Sequence, residues 1–222
     1  MARDPPSHTP ALIEMKCCCI FSAGEYPDTV KIPDGSFIIA CDAGYERALS
    51  LGIAPDLVIG DFDSLGYQPT GDNVEKHPIE KDETDTAIAV RRAISLGYDF
   101  LIIYGAFGGR LYHSLANIHI DADMSKNSVL CILVGRTEAA VAVASDSLRL
   151  FGEVGSRVSV FAWGGEAHGV TLLGMKYPLN SATLSPSVAL GVSNQLSDST
   201  AEITVSDGVL TIVFDYGVEV KL

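Results

Sequence analysis

Two aspartates separated by one residue stand in Gly60-Asp61-Phe62-Asp63-Ser64, directly after the apolar run Leu57, Val58, Ile59. On an extended backbone residues i and i+2 share a face, so Asp61 and Asp63 are expected to project together at a strand end while Phe62 turns away. Adjacent carboxylates repel, and a divalent cation relieves the repulsion. Mg²⁺ takes one or two carboxylates and keeps water and phosphate oxygens as its other ligands. Between positions 42 and 85 there are eleven acidic residues against three basic ones, Arg47, Lys76 and Lys81. Asp42 follows the apolar run SFIIAC, and Lys81-Asp82-Glu83-Thr84-Asp85-Thr86 follows VEKHPI. Three strand ends delivering carboxylates to one edge exceed what solubility requires. Asp82 or Thr84 is expected to cap a helix whose dipole the acids complement. That leaves Asp85, at a strand-to-helix junction, facing the ligand edge.

The second chemical stretch is Gly105-Ala106-Phe107-Gly108-Gly109-Arg110, between the apolar run FLIIY and the segment LYHSLANI. Glycines let the backbone approach a ligand, a helix start offers free N–H groups, and Arg110 supplies a fixed-charge fork for phosphate. The spacing matches neither GxxxxGK[ST] nor GxGxxG, so this is neither a P-loop nor a dinucleotide fingerprint. His113, one turn further on, is within reach of the same place, whereas His8, His77, His119 and His168 read as surface or core residues. No Ser/His/Asp or Cys/His arrangement supports a covalent nucleophile.

Positioning these groups requires strands and helices in alternation. CCCIFS, SFIIAC, DLVIG, FLIIY and VLCILV are continuously hydrophobic, as strands covered on both faces of a parallel sheet are. Ala87, Val90 and Ile94 form one apolar stripe and Leu111, Leu115 and Ile118 another, predicting two amphipathic helices. The expected fold class is α/β, with a doubly wound, mostly parallel sheet domain over residues 15–140 whose ligands sit beyond the strands' carboxyl ends. From residue 145 to 222 short β-rich pieces (SLRLFG, RVSVFAW, GVTLLG, AEITVS, VLTIVF) predict a small all-β sandwich, the last two flanking a Ser-Asp-Gly hairpin turn. Gly191-Val192-Ser193-Asn194-Gln195 reads as a loop bearing two hydrogen-bonding side chains.

The chain of 222 residues carries 15 Lys+Arg against 28 Asp+Glu, a formal charge of -13, and is 47% hydrophobic. That composition supports a large core and disfavours nucleic acid or an anionic membrane as principal partner, since both call for dense Lys and Arg. An anionic substrate would need a metal or a few well-placed cations. No apolar run has the 18 or more residues of a membrane span, and the opening MARDPPSHTP lacks a signal-peptide pattern, so a cytoplasmic protein is expected. The five cysteines, three of them consecutive at Cys17, Cys18 and Cys19, show no metal-ligand spacing and read as reduced core thiols.

In order, CDAGYERALSLGIAPDLVIGDFDS (41–64), KDETDTAIAV (81–90), GAFGGRLYHSLANI (105–118) and GVSNQ (191–195) resemble the thiamine pyrophosphokinase family over nearly the whole chain. The resemblance implies a homodimer whose α/β domain takes ATP and Mg²⁺ and whose β-rich domain helps bind thiamine across the subunit interface. It implies transfer of a pyrophosphoryl group from ATP to the thiamine hydroxyl. By motif, Asp61, Asp63 and Asp85 would hold Mg²⁺, with Asp42, Asp82 and Thr84 completing the acidic edge. Lys81 and Arg110 would contact phosphates, and Ser193 with Asn194 would meet the thiamine of the partner subunit. The chain departs from the family pattern at Tyr112, where Asp is usual, at Ala43 within the usual DGG, and at Phe107, where Thr is common.

Two other readings compete. An aspartyl-phosphate hydrolase would use Asp61 and Asp63, but that pair belongs after a first strand and here follows the third. A non-catalytic thiamine or thiamine-phosphate binding protein on the same fold would be disabled at Tyr112.

Overall fold

The continuous apolar runs form the centre of one large sheet in the computed structural model, which describes residues 15–221 apart from 64, 79 and 81. The first part of the chain runs β1 (Cys17–Phe21), β2 (Phe37–Cys41), α1 (Ala43–Ser50), β3 (Leu57–Gly60), β4 (Val74–Lys76), α2 (Asp85–Ser95), β5 (Phe100–Tyr104), α3 (Leu111–Lys126) and β6 (Leu130–Val134). These six strands are parallel in the order β6-β5-β1-β2-β3-β4. The remainder is β7 (Glu138–Ala144), β8 (Ser147–Phe151), β9 (Arg157–Ala162), β10 (Ala167–Leu173), β11 (Leu179–Leu184), β12 (Gly191–Gln195), β13 (Thr200–Thr204), β14 (Val209–Asp215) and β15 (Glu219–Lys221).

Alternation of side chains assigns each face of the sheet its partner. Cys18, Ile20, Ile39, Cys41 and Ile59 share a core with Ala89, Val90 and Ala93 of α2 and Met124 of α3. Cys19, Phe21, Ile38 and Ala40 belong to the other core, with Ala48 of α1 and the second sheet's Leu148, Leu150, Leu172 and Ile203. Helices therefore cover both faces of the parallel part, as a doubly wound fold requires. Each fully buried Ile, Leu or Phe here is worth about 1.5–3 kcal/mol relative to exposure.

β7 pairs antiparallel with β6, and β14, β9 and β12 follow it, so one ten-stranded sheet passes from the first part of the chain into the second. A five-stranded antiparallel sheet, β11-β10-β13-β8-β15, packs on its antiparallel end and completes the sandwich. Among the described residues no helix is long and apolar enough to cross a membrane. None of the five cysteines is in a disulfide.

Several local expectations fail for physical reasons. In α3, Leu111 and Leu115 are 74% and 44% exposed, and the buried positions are Asn117, Asp121, Ala122 and Met124. Asn117 Nδ2 donates to Ala106 O at 2.7 Å, which turns a polar face inward and the leucine stripe out. In α2, Val90 is buried as expected, but Thr86, Ala89 and Ala93 join it where Ala87 and Ile94 are only half-buried. Gly191–Gln195 is no loop: it is an edge strand paired with β9 through an irregularity between Gly191 and Asn194.

Asp121 is fully buried, and neither carboxyl oxygen completes a hydrogen bond. Burial pushes its carboxyl well above the usual range; the Ala142 backbone amide offsets this only in part. Between the ordinary aspartate value near 4 and that raised value, the unfolded chain has lost a proton that the folded chain keeps. Stability therefore falls as pH rises through this window, by up to ~1.4 kcal/mol per pH unit. Asp121→Asn should flatten this slope and raise the Tm at pH 8 relative to the parent. Thermal melts from pH 5 to 9 check it, and parallel curves would refute the assignment.

Candidate active site

Because β2, β3 and β4 are parallel neighbours, the residues after them emerge along one edge of the sheet. Asp42, Asp61 and Asp63, and the 82–85 segment are those residues. Asp42 sits at φ 44° as the N-cap of α1, yet its side chain does not cap the helix. Instead Asp42 Oδ1 accepts from the Phe62 amide at 3.3 Å and faces Gly60, where a Cβ would come within 2.0 Å of it. The glycine before Asp61 is thus what lets Asp42 lean over the end of β3.

The backbone at 61–63 is not extended as expected. Phe62 is left-handed, at φ 65°, and 4% exposed, while Asp61 Oδ1 accepts from the Asp63 amide at 3.1 Å. A tight turn, closed by Asp61 and anchored by the Phe62 ring in the core, places the two carboxylates. From the neighbouring helix, Thr84 Oγ1 caps α2 by accepting from the Ala87 amide at 3.2 Å. Asp85 opens the helix, and its carbonyl accepts from Cys41 Sγ at 3.6 Å. Asp82 is exposed, Glu83 pairs with Arg91, and Lys81 lies outside the described residues.

Burial, a hydrogen bond with Asp85 and the charges of Asp85 and Asp61 push the Asp42 carboxyl up to about 7. Asp42 therefore keeps a proton near neutrality, since ionising it beside other carboxylates is costly. Among the described residues no group of three His, Cys, Asp or Glu side chains is gathered closely enough to hold a metal ion. Asp61, Asp63 and Asp85 share an edge without forming a closed cage.

The glycine-rich turn lies on the other side of β1. Gly24 N donates to Gly105 O at 2.9 Å and Glu25 N to Phe107 O at 2.7 Å, joining the loops after β1 and β5. A Cβ on Gly24 would stand 2.2 Å from Phe107 O, so only glycine permits this approach. Strand order reverses between β1 and β5, the place where open α/β sheets bind ligands. A cleft of about 420 Å³ opens there, lined by residues including Ser22, Gly24, Tyr26, Arg47 and Arg136. Sequence reasoning passed over both arginines; the available signal was Ser22-Ala23-Gly24 directly after the first strand. Arg110 is exposed at the N-cap of α3, its guanidinium 5.9 Å from the Tyr112 ring, which in turn lies 4.7 Å from His113.

Ser193 and Asn194 line a separate cleft of about 230 Å³ with Glu138, Arg157 and Asp215. Ser193 is exposed and left-handed at φ 59°, its amide held by Ser159 Oγ at 3.1 Å. Asn194 is 2% exposed, and its amide group is occupied by the Tyr177 backbone, at 2.9 Å from the Tyr177 amide and 2.8 Å to its carbonyl. Asn194 thus ties the strand to the 177 segment, and Ser193 is the side chain presented to the cleft. β12 and β3 stand eight strand spacings apart in the sheet order. At about 4.8 Å per spacing, roughly 38 Å along the sheet separates Ser193 from the acidic edge of the same chain.

Residues 32–133 match the family model described as thiamin pyrophosphokinase, catalytic domain, and residues 150–210 the model described as thiamin pyrophosphokinase, vitamin B1 binding domain. The chain belongs to the thiamine pyrophosphokinase family. A curated thiamine pyrophosphokinase of Bacillus subtilis (strain 168) is 28% identical over 183 residues, 79% of this chain and 85% of that protein. The crystal structure of thiamine pyrophosphokinase from Bacillus subtilis superposes with a TM-score of 0.79 at 25% identity, covering 91% of this chain and all of that one. Thiamin pyrophosphokinase from Candida albicans, at 12% identity, shares the fold with a TM-score of 0.75 over 97% of this chain and 95% of its own. Family membership makes the chain a thiamine diphosphokinase.

Proposed function

We propose that this member of the family transfers a pyrophosphoryl group from ATP to the hydroxyl of thiamine, giving thiamine diphosphate and AMP. The carrying observation is the edge itself: carboxylates from three adjacent strand ends lie next to a glycine-rich turn with Arg110 and a cleft bearing Arg47 and Arg136. The raised Asp42 carboxyl marks an excess of negative charge that a hard cation would neutralise, and the donors on this edge are oxygens, as Mg²⁺ requires. These oxygen donors fit Mg²⁺, which needs only one or two carboxylates beside water and phosphate oxygens, and Asp61, Asp63 and Asp85 are the residues that would supply them. When bound, the ion would neutralise charge on the transferring phosphates.

The protein's own residues supply positioning. Arg110 presents a planar fork to phosphate oxygens, the free N–H groups of α3 face the same place, and an aspartate of the edge takes the proton of the thiamine alcohol. The bond formed joins the thiamine oxygen to the β-phosphorus, and AMP leaves with the bridging oxygen. Ser193 and the Glu138 carboxylate of its cleft suit the cationic thiazolium, Asp215 being paired with Arg157. Roughly 38 Å is too far for thiamine to bridge within one chain. A C₂ homodimer is therefore the proposed unit, with the 145–222 domain of one subunit closing the site of the 15–140 domain of its partner.

Incubating the purified protein with ATP, Mg²⁺ and thiamine should yield AMP and thiamine diphosphate in equal amounts, and chelation of the metal should stop both. Release of free phosphate without thiamine diphosphate would favour the hydrolase, and thiamine binding without AMP the non-catalytic binder. Tyr112 carries a further test. Where family members usually have Asp, this ring stands beside the Arg110 guanidinium. An exposed cation–π contact is worth about 0.5–1 kcal/mol, so Tyr112→Ala should raise the KM for ATP about two- to fivefold while Tyr112→Phe leaves it unchanged. Equal effects from both variants would assign the loss to the hydroxyl instead.

A further inference from the structure

The helix α3 covers only part of its side of the ten-stranded sheet. It lies over β6, β7 and β14, and the sheet continues past it into β9 and β12. Val158, Val160 and Ala162 of β9 point into the core shared with the second sheet, so Ser159 and Phe161, between them, point to the α3 side. Phe161 is 38% exposed on that strip, two residues from Ser159, whose Oγ holds the Ser193 amide. On α3 itself the outward Leu111 and Leu115 are joined by an exposed Tyr112. The ten residues from Leu111 to Ile120 include no Asp, Glu, Lys or Arg, in a chain of net charge -13. An uncharged helix face and a bare strip of sheet are therefore two unpartnered apolar surfaces on one side of the molecule.

We propose that these two surfaces meet in a two-fold dimer, α3 of each subunit seating Leu111 and Leu115 on the β9–β12 strip of a second copy, around Phe161. Resting on the shared-site reading, this contact supplies its interface. Charge favours a second copy as the occupant: a chain of net charge -13 repels its own copy, so contact between copies needs ground free of acids. Within one chain the contact cannot form, because α3 is held over β6, β7 and β14 with its leucines turned away from the sheet. A helix with its side chains is about 10 Å across, which matches two strand spacings of about 4.8 Å, those of β9 and β12. Val134 at the end of β6 pairs with Ala139, so the Glu138–Ser193 cleft lies at the carboxyl end of the parallel strands, where α3 begins and Arg110 stands. With the axis along the strands, the rotation that lays α3 on the partner's strip also lays the partner's β12 over β6. β6 is four spacings from β3 instead of eight, so roughly 19 Å replaces roughly 38 Å between Ser193 of the partner subunit and the acidic edge.

Light scattering behind a sizing column tests this with two charge variants. Leu115→Glu and Phe161→Arg alter exposed side chains, so each should keep the parent's circular dichroism spectrum. The wild type should be a dimer, and each variant alone should raise the dissociation constant at least ~100-fold, because a two-fold contact carries every lesion twice. Mixed one to one, the variants should return to dimer mass, since one contact is then native and the other pairs the introduced carboxylate with the introduced guanidinium. Leu111→Glu takes the place of Leu115→Glu should the latter not fold. Dissociation by Leu115→Glu but not by Phe161→Arg would mean that α3 packs on α3 and would overturn the proposal. So would dimers that survive both variants, a mixture that stays monomeric, or a monomeric wild type. Turnover by a monomeric chain would defeat the shared-site reading as well, whereas a dimer indifferent to both variants would defeat only this interface.

Discussion

Asp61→Asn is expected to reduce kcat at least ~100-fold, the scale on which removal of a single charge-stabilising group acts in transfer reactions. The fold should survive the change. Asp61 Oδ1 accepts from the Asp63 amide, and an asparagine oxygen can accept the same bond, so the turn that carries both residues is preserved. Electrostatics favours the variant when no cation is bound, because the charge of Asp61 is one of those that raise the Asp42 carboxyl. The Tm measured without metal should therefore stay the same or rise. Near-normal turnover at ordinary Mg²⁺ would remove Asp61 from the metal site, and a lowered Tm would show that its charge serves folding.

A second large effect is expected from mixing two disabled subunits. Asp85→Asn removes a carboxylate from the acidic edge, and Ser193→Arg places a bulky cation in the cleft of the β-rich domain, where the Ser193 side chain is exposed. Each variant alone should be nearly inactive. Ser193 is preferred to Asn194 here because loss of the Asn194 amide would break buried hydrogen bonds to Tyr177 and confuse binding with folding. In a heterodimer with shared sites, one site carries both lesions and the other neither. Activity should then recover towards half the wild-type value per heterodimer. If subunit exchange is confirmed by mass and no activity returns, each site lies within one chain.

Much of this arrangement is legible in the sequence. Runs such as FLIIY and VLCILV have no polar face, which only strands buried on both sides tolerate; acids after two such runs, SFIIAC and DLVIG, and after the more polar VEKHPI placed Asp42, Asp61 and Asp85 on one edge. What escaped was geometry that hydropathy does not encode. A phenylalanine at φ 65° is rare enough that no pattern predicts it, and it exists because Asp61 and Asp42 both bond the backbone around it. The strand Glu138–Ala144 is built from alanines, which carry little strand signal although the residues lie at the centre of the sheet. Asn194 was a thiamine contact only through the family resemblance, since residue type shows no more than hydrogen-bonding capacity, and the Tyr177 backbone takes up that capacity. Arg47 and Arg136 are too far apart in sequence to suggest a common cleft, and only the order of strands brings them together.

The ten-stranded sheet also sets a timetable for synthesis. β7 can join β6 almost as soon as it leaves the ribosome, but its other neighbour, β14, begins at Val209, about 65 residues after β7 ends. At ~5–20 residues per second the far edge of β7 waits ~3–13 s for its partner. During that interval the nascent chain presents EAAVAVA as an apolar, unpaired strand edge, a template for association with other chains. Slower translation between residues 144 and 209 should therefore increase aggregation during expression without changing the finished protein.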